Sequence, residues 1–275
     1  MVIDSHQHFW LFDETRDSWI TPKMEAIRRD FLPEDLHNIL LENQVDGCIA
    51  VQTDQSGAET DFLLQIAEAH AFVCGVVGWV DFLADNLITQ LEDYTQFEKL
   101  KGFRHITQGQ PDGYLIHPHF VKGVSALAEF DYSYDILIYP NQLKEAYLFA
   151  SQIPDVRFVL DHIAKPYIKV GKMEPWETDI RRLAQLPNVY CKISGMVTEA
   201  KWDGWHPSDF KAYLDVVFDA FGVDRLMFGS DWPVCLVASD YVNVKNILHQ
   251  YLSDFSESDQ KKIWGLNAKA FYKIE

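Results

Sequence analysis

Runs that are typical of short strands alternate with longer amphipathic segments along the whole chain. The strand-like runs cover residues 2–4, 46–52, 72–79, 101–104, 134–138, 157–161, 189–193 and 225–228. They begin about 22 to 44 residues apart, which is the length that a parallel strand and its crossover connection need. The spacing therefore predicts repeated strand–helix units.

Helical periodicity fills most of the intervals between these strands. The predicted helices cover residues 32–43, 58–69, 118–130, 141–152, 174–186, 207–221 and 239–251. The first of them contains Pro33-Glu34-Asp35, which is typical of a helix N-terminus. Strands that alternate with helices favour a parallel sheet. Because there are eight, we predict an α/β fold that closes into a (β/α)8 TIM barrel rather than an open sheet.

The composition agrees with one large folded unit. Of the 275 residues, 48% are hydrophobic and eight are Trp, which is enough for a substantial core. No linker rich in Ser, Gly or Pro interrupts the pattern, so we predict that residues 1–275 form a single domain of the size that α/β barrels reach. The aromatic content suits a homo-oligomer interface as well as a large core, and the oligomeric state stays open.

Charge and cysteine spacing restrict the partners and the compartment. A formal net charge of -17 argues against nucleic acid and anionic membrane surfaces, since both require a basic face. No apolar run reaches ~18 residues and no signal peptide is recognisable, so we expect a cytoplasmic protein. The four cysteines form no CxxC pair, which favours buried thiols.

The first strand carries the most informative group of polar residues. His6 and His8 stand two residues apart, so on a strand both side chains point to the same face. Two neighbouring imidazoles can hold a divalent metal or bind an anionic oxygen together.

In a TIM barrel the reactive groups lie at the carboxyl ends of the strands. The ends of the later predicted strands carry further polar residues that could take part in chemistry. They are Arg104, His105, Tyr139, Asp161, His162, Lys165, Lys192, Ser194 and Asp231. A single histidine of this kind is usually structural, but three histidines and an aspartate on one rim favour function. Lys192 is compatible with a role in the site or with a structural ion pair.

Several tryptophans also lie near strand ends or in the loop after the seventh strand. Their flat faces pack against the C–H groups of sugars, so a saccharide-like ligand is compatible with them, although core packing is the default. These tryptophans are Trp10, Trp79, Trp202, Trp205 and Trp232.

Five segments resemble the amidohydrolase-related (amidohydrolase 2) branch of the amidohydrolase superfamily. They are Ile-Asp-Ser-His-Gln-His-Phe-Trp (3–10), Gly-Phe-Arg-His (102–105), Asp-His-Ile-Ala-Lys-Pro (161–166), Lys-Ile-Ser-Gly (192–195) and Phe-Gly-Ser-Asp-Trp-Pro-Val-Cys (228–235). Within that branch, the segments 198–205 and 220–229 are most similar to sugar lactonases, which open L-fucono- and L-rhamnono-type lactones.

The resemblance implies roles for particular positions. His6, His8 and His162 match the family's histidines, Asp231 matches its general base, and Arg104 matches a substrate-orienting position. The wider superfamily has a lysine at the end of strand 4 that bridges two metals, and this chain has none there. The resemblance therefore implies one divalent metal (Zn²⁺ or similar), held by the three histidines and Asp231, or no metal at all.

These residues suggest hydrolysis of a small-molecule sugar lactone by direct attack of water. Asp231 would act as general base, while His162 and Arg104 would stabilise the reacting groups. The residues predicted to contact the substrate are Trp10, His105, Lys192, Trp202 and Trp232. A metal-dependent decarboxylase or another hydrolase of the same family is the alternative enzyme, and a sugar-binding barrel without activity is the alternative outside catalysis.

Overall fold

Eight parallel strands pair in chain order, each with the next, in a computed structural model that describes residues 1–275. The strands are β1 (Ile3–Gln7), β2 (Gly47–Val51), β3 (Val73–Gly78), β4 (Leu100–Ile106), β5 (Ser133–Leu137), β6 (Arg157–Leu160), β7 (Val189–Ile193) and β8 (Leu226–Phe228). All eight predicted strands are confirmed, with ends that differ by up to three residues.

The last strand returns to the first. A parallel bridge joins Gln7 to Trp232, and the amide of His8 donates to the carbonyl of Trp232 at 2.7 Å. The sheet is thereby a nearly closed barrel, and the predicted TIM-barrel fold is confirmed.

Helices cover the outside of this barrel. They are α1 (Pro33–Glu42), α2 (Gly57–Ala69), α3 (Leu87–Tyr94), α4 (Pro118–Ser125), α5 (Leu143–Gln152), α6 (Trp176–Leu183), α7 (Ser208–Phe221), α8 (Tyr241–Tyr251), α9 (Glu257–Lys261) and α10 (Asn267–Phe271). The seven predicted helices are confirmed. The sequence did not predict α3, since only Leu87 and Leu91 of its eight residues are buried and the apolar stripe is short. None of these helices is long and apolar enough to cross a membrane.

A second apolar cluster joins the barrel strands to the C-terminal helix. Ile3, Ile49, Val77 and Val159 belong to it together with Phe271 at the end of α10. Gly265, just before α10, lies directly against Met1 and Ile3, so the C-terminal segment covers the end of the barrel where the strands begin, and the opposite end is open for a functional site.

Candidate active site

A cavity of about 350 Å³ opens at the carboxyl ends of the strands. Its lining combines ionisable groups, amides and a few apolar side chains, which is the composition expected of a small-molecule site. The lining residues are His8, Trp19, Thr53, Arg104, Ile106, Gln108, Leu137, Tyr139, His162, Lys165, Asp231 and Val234.

Two imidazoles meet at the floor of this cavity. The Nε2 atoms of His6 and His8 are 3.2 Å apart. His8 Nδ1 donates to the carbonyl of Val51 at 2.7 Å, and His6 Nδ1 lies 3.2 Å from Asp161 Oδ1. Because a backbone carbonyl only accepts, His8 carries a proton on Nδ1, whereas His6 Nδ1 also lies 3.2 Å from the donor Lys192 Nζ. The separation of the two Nε2 atoms suits two ligands of one Zn²⁺ about 2.1 Å from each.

A carboxylate and a third imidazole complete the cluster. Asp231 Oδ1 lies 3.4 Å from His8 Nε2 and 3.9 Å from the Nε2 atoms of both His6 and His162. His162 is oriented by Ser194, whose Oγ is 2.9 Å from His162 Nδ1. The structure thus brings together all four residues that the sequence proposed as a metal or catalytic set.

The backbone at two of these residues is strained. His162, Ile163, Ala164 and Lys165 have φ angles of 54°, 46°, 59° and 49°, and Asp231 has a φ of 58°. Residues other than glycine rarely adopt this left-handed region, and each instance costs of order 1–3 kcal/mol. Strain of this kind clusters at functional sites, where the surrounding structure holds it in place.

Burial controls the charges in the cluster. It lowers the pKa values of His6 and His162 well below the ordinary value, which keeps both rings neutral. Burial alone would raise the pKa of Asp231, but its interactions with His162 and His8 lower it below the ordinary value overall. At neutral pH His6 and His162 therefore offer neutral imidazole nitrogens beside one ionised carboxylate, which is the state that binds a cation or accepts a proton.

A network of buried charges lies directly beneath the cluster. Lys192 Nζ is 2.5 Å from Asp135 Oδ2 and 3.1 Å from Asp161 Oδ1, and all three side chains are fully buried. Arg104 Nη1 lies 3.0 Å from Asp161 Oδ2, and the hydroxyl of Tyr272 donates to Asp135 at 2.9 Å. The positive charges of Lys192 and Arg104 balance the negative charges of the two carboxylates. Asp161 connects this network to His6.

The three tryptophans predicted to contact the substrate lie outside the cavity. Trp10 and Trp232 are only 1% exposed and both pack against Phe31. A β-bridge to Phe31 places Trp10 away from the cavity. Trp232 follows Asp231, whose left-handed backbone interrupts the alternation of side chains along the strand. Trp202 is on the surface, where its indole donates to Thr198. None of the three lines the cavity in this structure.

His105 and Lys192, which were also predicted to contact the substrate, are bound by other side chains of the protein. His105 is held between the indole of Trp79, which donates to it at 3.1 Å, and the hydroxyl of Tyr114 at 3.0 Å. Burial lowers the pKa of His105 to about 4. Lys192 forms the buried ion pairs described above, which was one of the two roles that the sequence left open. Neither side chain lines the cavity.

Trp19 and Tyr139 supply the aromatic surface of the cavity instead. Their exposed fractions are 42% and 45%, so both present a large face. Tyr139 stands two residues after β5, and Lys165 five residues after β6, so both could be identified as strand-end residues. Trp19 belongs to the long segment between β1 and α1, and nothing in the local pattern indicates that it reaches the cavity.

The chain resembles known proteins over nearly its whole length. A family model described as amidohydrolase (Amidohydro_2) matches residues 3–274. An L-fucono-1,5-lactonase from Burkholderia multivorans is 38% identical over 284 residues, which cover 99% of this chain and 96% of that protein. An L-rhamnono-gamma-lactonase from Scheffersomyces stipitis is 25% identical over 66% of this chain and 61% of its own.

A solved structure resembles this one closely. A crystal structure of an amidohydrolase from Burkholderia multivorans with bound Zn superimposes with a TM-score of 0.95 at 37% sequence identity, with 100% of each chain covered.

Proposed function

The chain belongs to the amidohydrolase family, and from this we propose that it is a lactonase that hydrolyses a sugar lactone, such as L-fucono-1,5-lactone, to the aldonic acid. The observation that carries the proposal is the convergence of His6, His8, His162 and Asp231 at the floor of a cavity of suitable size. The lactonases among the relatives support the substrate class.

The floor of the cavity fits one divalent cation. His6, His8 and Asp231 would hold it, with His162 beside them, because their nitrogen and oxygen atoms lie within 4.8 Å of one another. When bound, such an ion polarises a carbonyl and lowers the pKa of water. Zn²⁺ prefers this combination of imidazole and carboxylate ligands.

Asp231 is the group suited to move the proton. Its carboxylate stays ionised at neutral pH, so it can accept a proton from the water that attacks the lactone carbonyl. Once protonated, the same carboxyl group can return the proton to the ring oxygen as the ester bond breaks. This sequence needs no covalent acyl intermediate.

The cavity wall offers contacts for a polyhydroxylated ring. Trp19 and Tyr139 present aromatic faces for its C–H groups, while Thr53 and Gln108 present a hydroxyl and an amide for its hydroxyls.

A lactone assay with metal removal tests the proposal. We expect turnover of L-fucono- or L-rhamnono-lactone, followed by a pH indicator, to fall at least about tenfold after chelation and to return with Zn²⁺ or Mn²⁺, since a bound ion supplies several kcal/mol of charge stabilisation. If chelation did not change turnover, and metal analysis showed that the protein held no ion, the proposed metal dependence would be wrong. No turnover of any lactone, with release of carbon dioxide from hydroxybenzoates, would contradict the lactonase.

Gly195 provides a test of how His162 is positioned. A Cβ at this residue would lie 2.5 Å from His162 Nδ1, and the φ of +63° disfavours any side chain. We expect Gly195→Ala to displace the ring and to lower turnover by about tenfold to a hundredfold. Gly204→Ala, in the same loop with no atom within 4 Å of its Cβ, should leave turnover unchanged. Equal activity of both variants would argue against a role for the His162 orientation.

A further inference from the structure

Two basic side chains, Arg104 and Lys165, line the cavity, and Arg104 is already bound by other groups of the protein. Arg104 directs Nη1 to Asp161 Oδ2 at 3.0 Å and Nη2 to the backbone carbonyl and the side-chain oxygen of Gln52. The residue is only 3% exposed. Its charge is therefore balanced by Asp161, and both ends of its fork are occupied within the protein.

Lys165 is the basic residue of the cavity that has no hydrogen-bonded partner. Its Nζ makes no hydrogen bond, and the nearest carboxylate oxygen, Glu199 Oε1, is 3.9 Å away. That separation is too long for a hydrogen bond. The side chain is 23% exposed and lines the cavity together with His162 and Asp231.

The strained turn fixes Lys165 relative to His162. The four residues from His162 to Lys165 are all left-handed, including the β-branched Ile163. Two hydrogen bonds hold the turn: the amide of Lys165 donates to the carbonyl of His162 at 2.8 Å, and the indole of Trp176 donates to the carbonyl of Ile163 at 2.7 Å. The ammonium and the imidazole are thus presented to the cavity by one rigid segment.

Lactone hydrolysis creates a charge that this cavity must accommodate. The substrate is neutral, whereas the product carries a carboxylate, formed when water adds to the carbonyl and the bond to the ring oxygen breaks. Asp231 is a carboxylate in the same cavity, and the chain has a net charge of -17. Both repel an anion, so a cation on the cavity wall favours binding of the product, in addition to any metal ion at the floor.

We propose that Lys165 binds the carboxylate group of the aldonate through a charge-assisted hydrogen bond from Nζ, and that Glu199 is its partner when the cavity is empty. This inference rests on the proposed lactonase function and adds the residue that distinguishes the charged acid from the neutral lactone. Lys165 would then determine how strongly the product inhibits the enzyme.

Binding of L-fuconate to the metal-loaded protein, measured by calorimetry, tests this proposal. We expect Lys165→Met to weaken binding by about tenfold to a hundredfold, the value of a hydrogen bond to a charged group. The KM for the neutral lactone should change by a smaller factor than the affinity for L-fuconate, because the lactone carries no carboxylate. Lys169→Met, an exposed lysine four residues along the chain, is the matched control and should bind L-fuconate like the wild type.

Two further variants keep the test independent of how Lys165→Met folds. Lys165→Arg should retain binding, and Glu199→Gln, which removes the facing carboxylate, should bind L-fuconate at least as tightly as the wild type. Normal binding by Lys165→Met, equal weakening for acid and lactone, or weaker binding by Glu199→Gln would overturn the assignment of Lys165 alone. A wild-type protein that neither hydrolyses the lactone nor binds L-fuconate would overturn the proposed function as well.

Discussion

Asp231→Asn should lower lactone turnover by about a hundredfold or more. Asparagine has nearly the same shape as aspartate but cannot accept a proton from water, and general-base catalysis contributes about 10²- to 10⁴-fold. The substitution also replaces the one carboxylate oxygen that lies within 4 Å of all three histidines. Steady-state rates and metal content should therefore be measured on the same preparation.

Asp240→Asn is the matched control for this prediction. Asp240 caps α8 by accepting a hydrogen bond from the amide of Asn243, and asparagine caps helices equally well. The same chemical change nine residues along the chain should leave turnover intact. If Asp231→Asn kept more than about a tenth of wild-type turnover with its metal bound, Asp231 would not be the general base.

Lys192→Met should destabilise the protein by about 3–5 kcal/mol. The variant leaves Asp135 and Asp161 fully buried with only Arg104 to balance them, and breaking a buried ion pair on one side carries a penalty of this size. Chemical denaturation would measure the change in the free energy of unfolding. A loss below about 1 kcal/mol would show that the network relaxes or takes up water.

A control variant and a double variant accompany the Lys192→Met experiment. Lys211→Met removes an exposed lysine that pairs with Asp215 one helical turn away, and it should change stability little. Adding Asp135→Asn to Lys192→Met should recover part of the loss, because Arg104 still pairs with Asp161 and the added substitution removes the carboxylate left without a cation.

The loss of stability caused by Lys192→Met should also depend on pH. Burial already raises the pKa of Asp135 above its ordinary value, and removing the lysine would raise it further. A carboxyl group with a raised folded-state pKa binds more protons folded than unfolded, so stability falls as pH rises through that range. The penalty should therefore be smaller at pH 5 than at pH 8.

Much of the candidate site could be predicted from the ends of the predicted strands alone. Parallel strands finish on the same edge of a sheet, so a histidine pair on the first strand, a histidine after the sixth and an aspartate after the eighth must approach one another once the barrel closes. The structure brings His6, His8, His162 and Asp231 together in this way. Their roles in catalysis stay a prediction that the Asp231 experiment addresses.

The sequence was a poorer guide to the residues that line the cavity. Trp10 and His8 are two residues apart and would share a face on a continuous strand, yet a β-bridge to Phe31 turns Trp10 into the core. Trp19 reaches the cavity through a segment with no regular periodicity. Arg104 stands at the predicted strand end, but its fork is occupied by Asp161 and Gln52, and only the folded chain shows this.

The sequence by itself determined the barrel, its strand ends and the four groups that converge on its floor, because these follow from local periodicity and from the parallel direction of the strands. The tertiary structure decided which side chains face the cavity and which charges are free. Those properties depend on contacts between residues far apart in the chain, such as Lys192 with Asp135, and on left-handed backbone at His162 and Asp231 that no local pattern indicates.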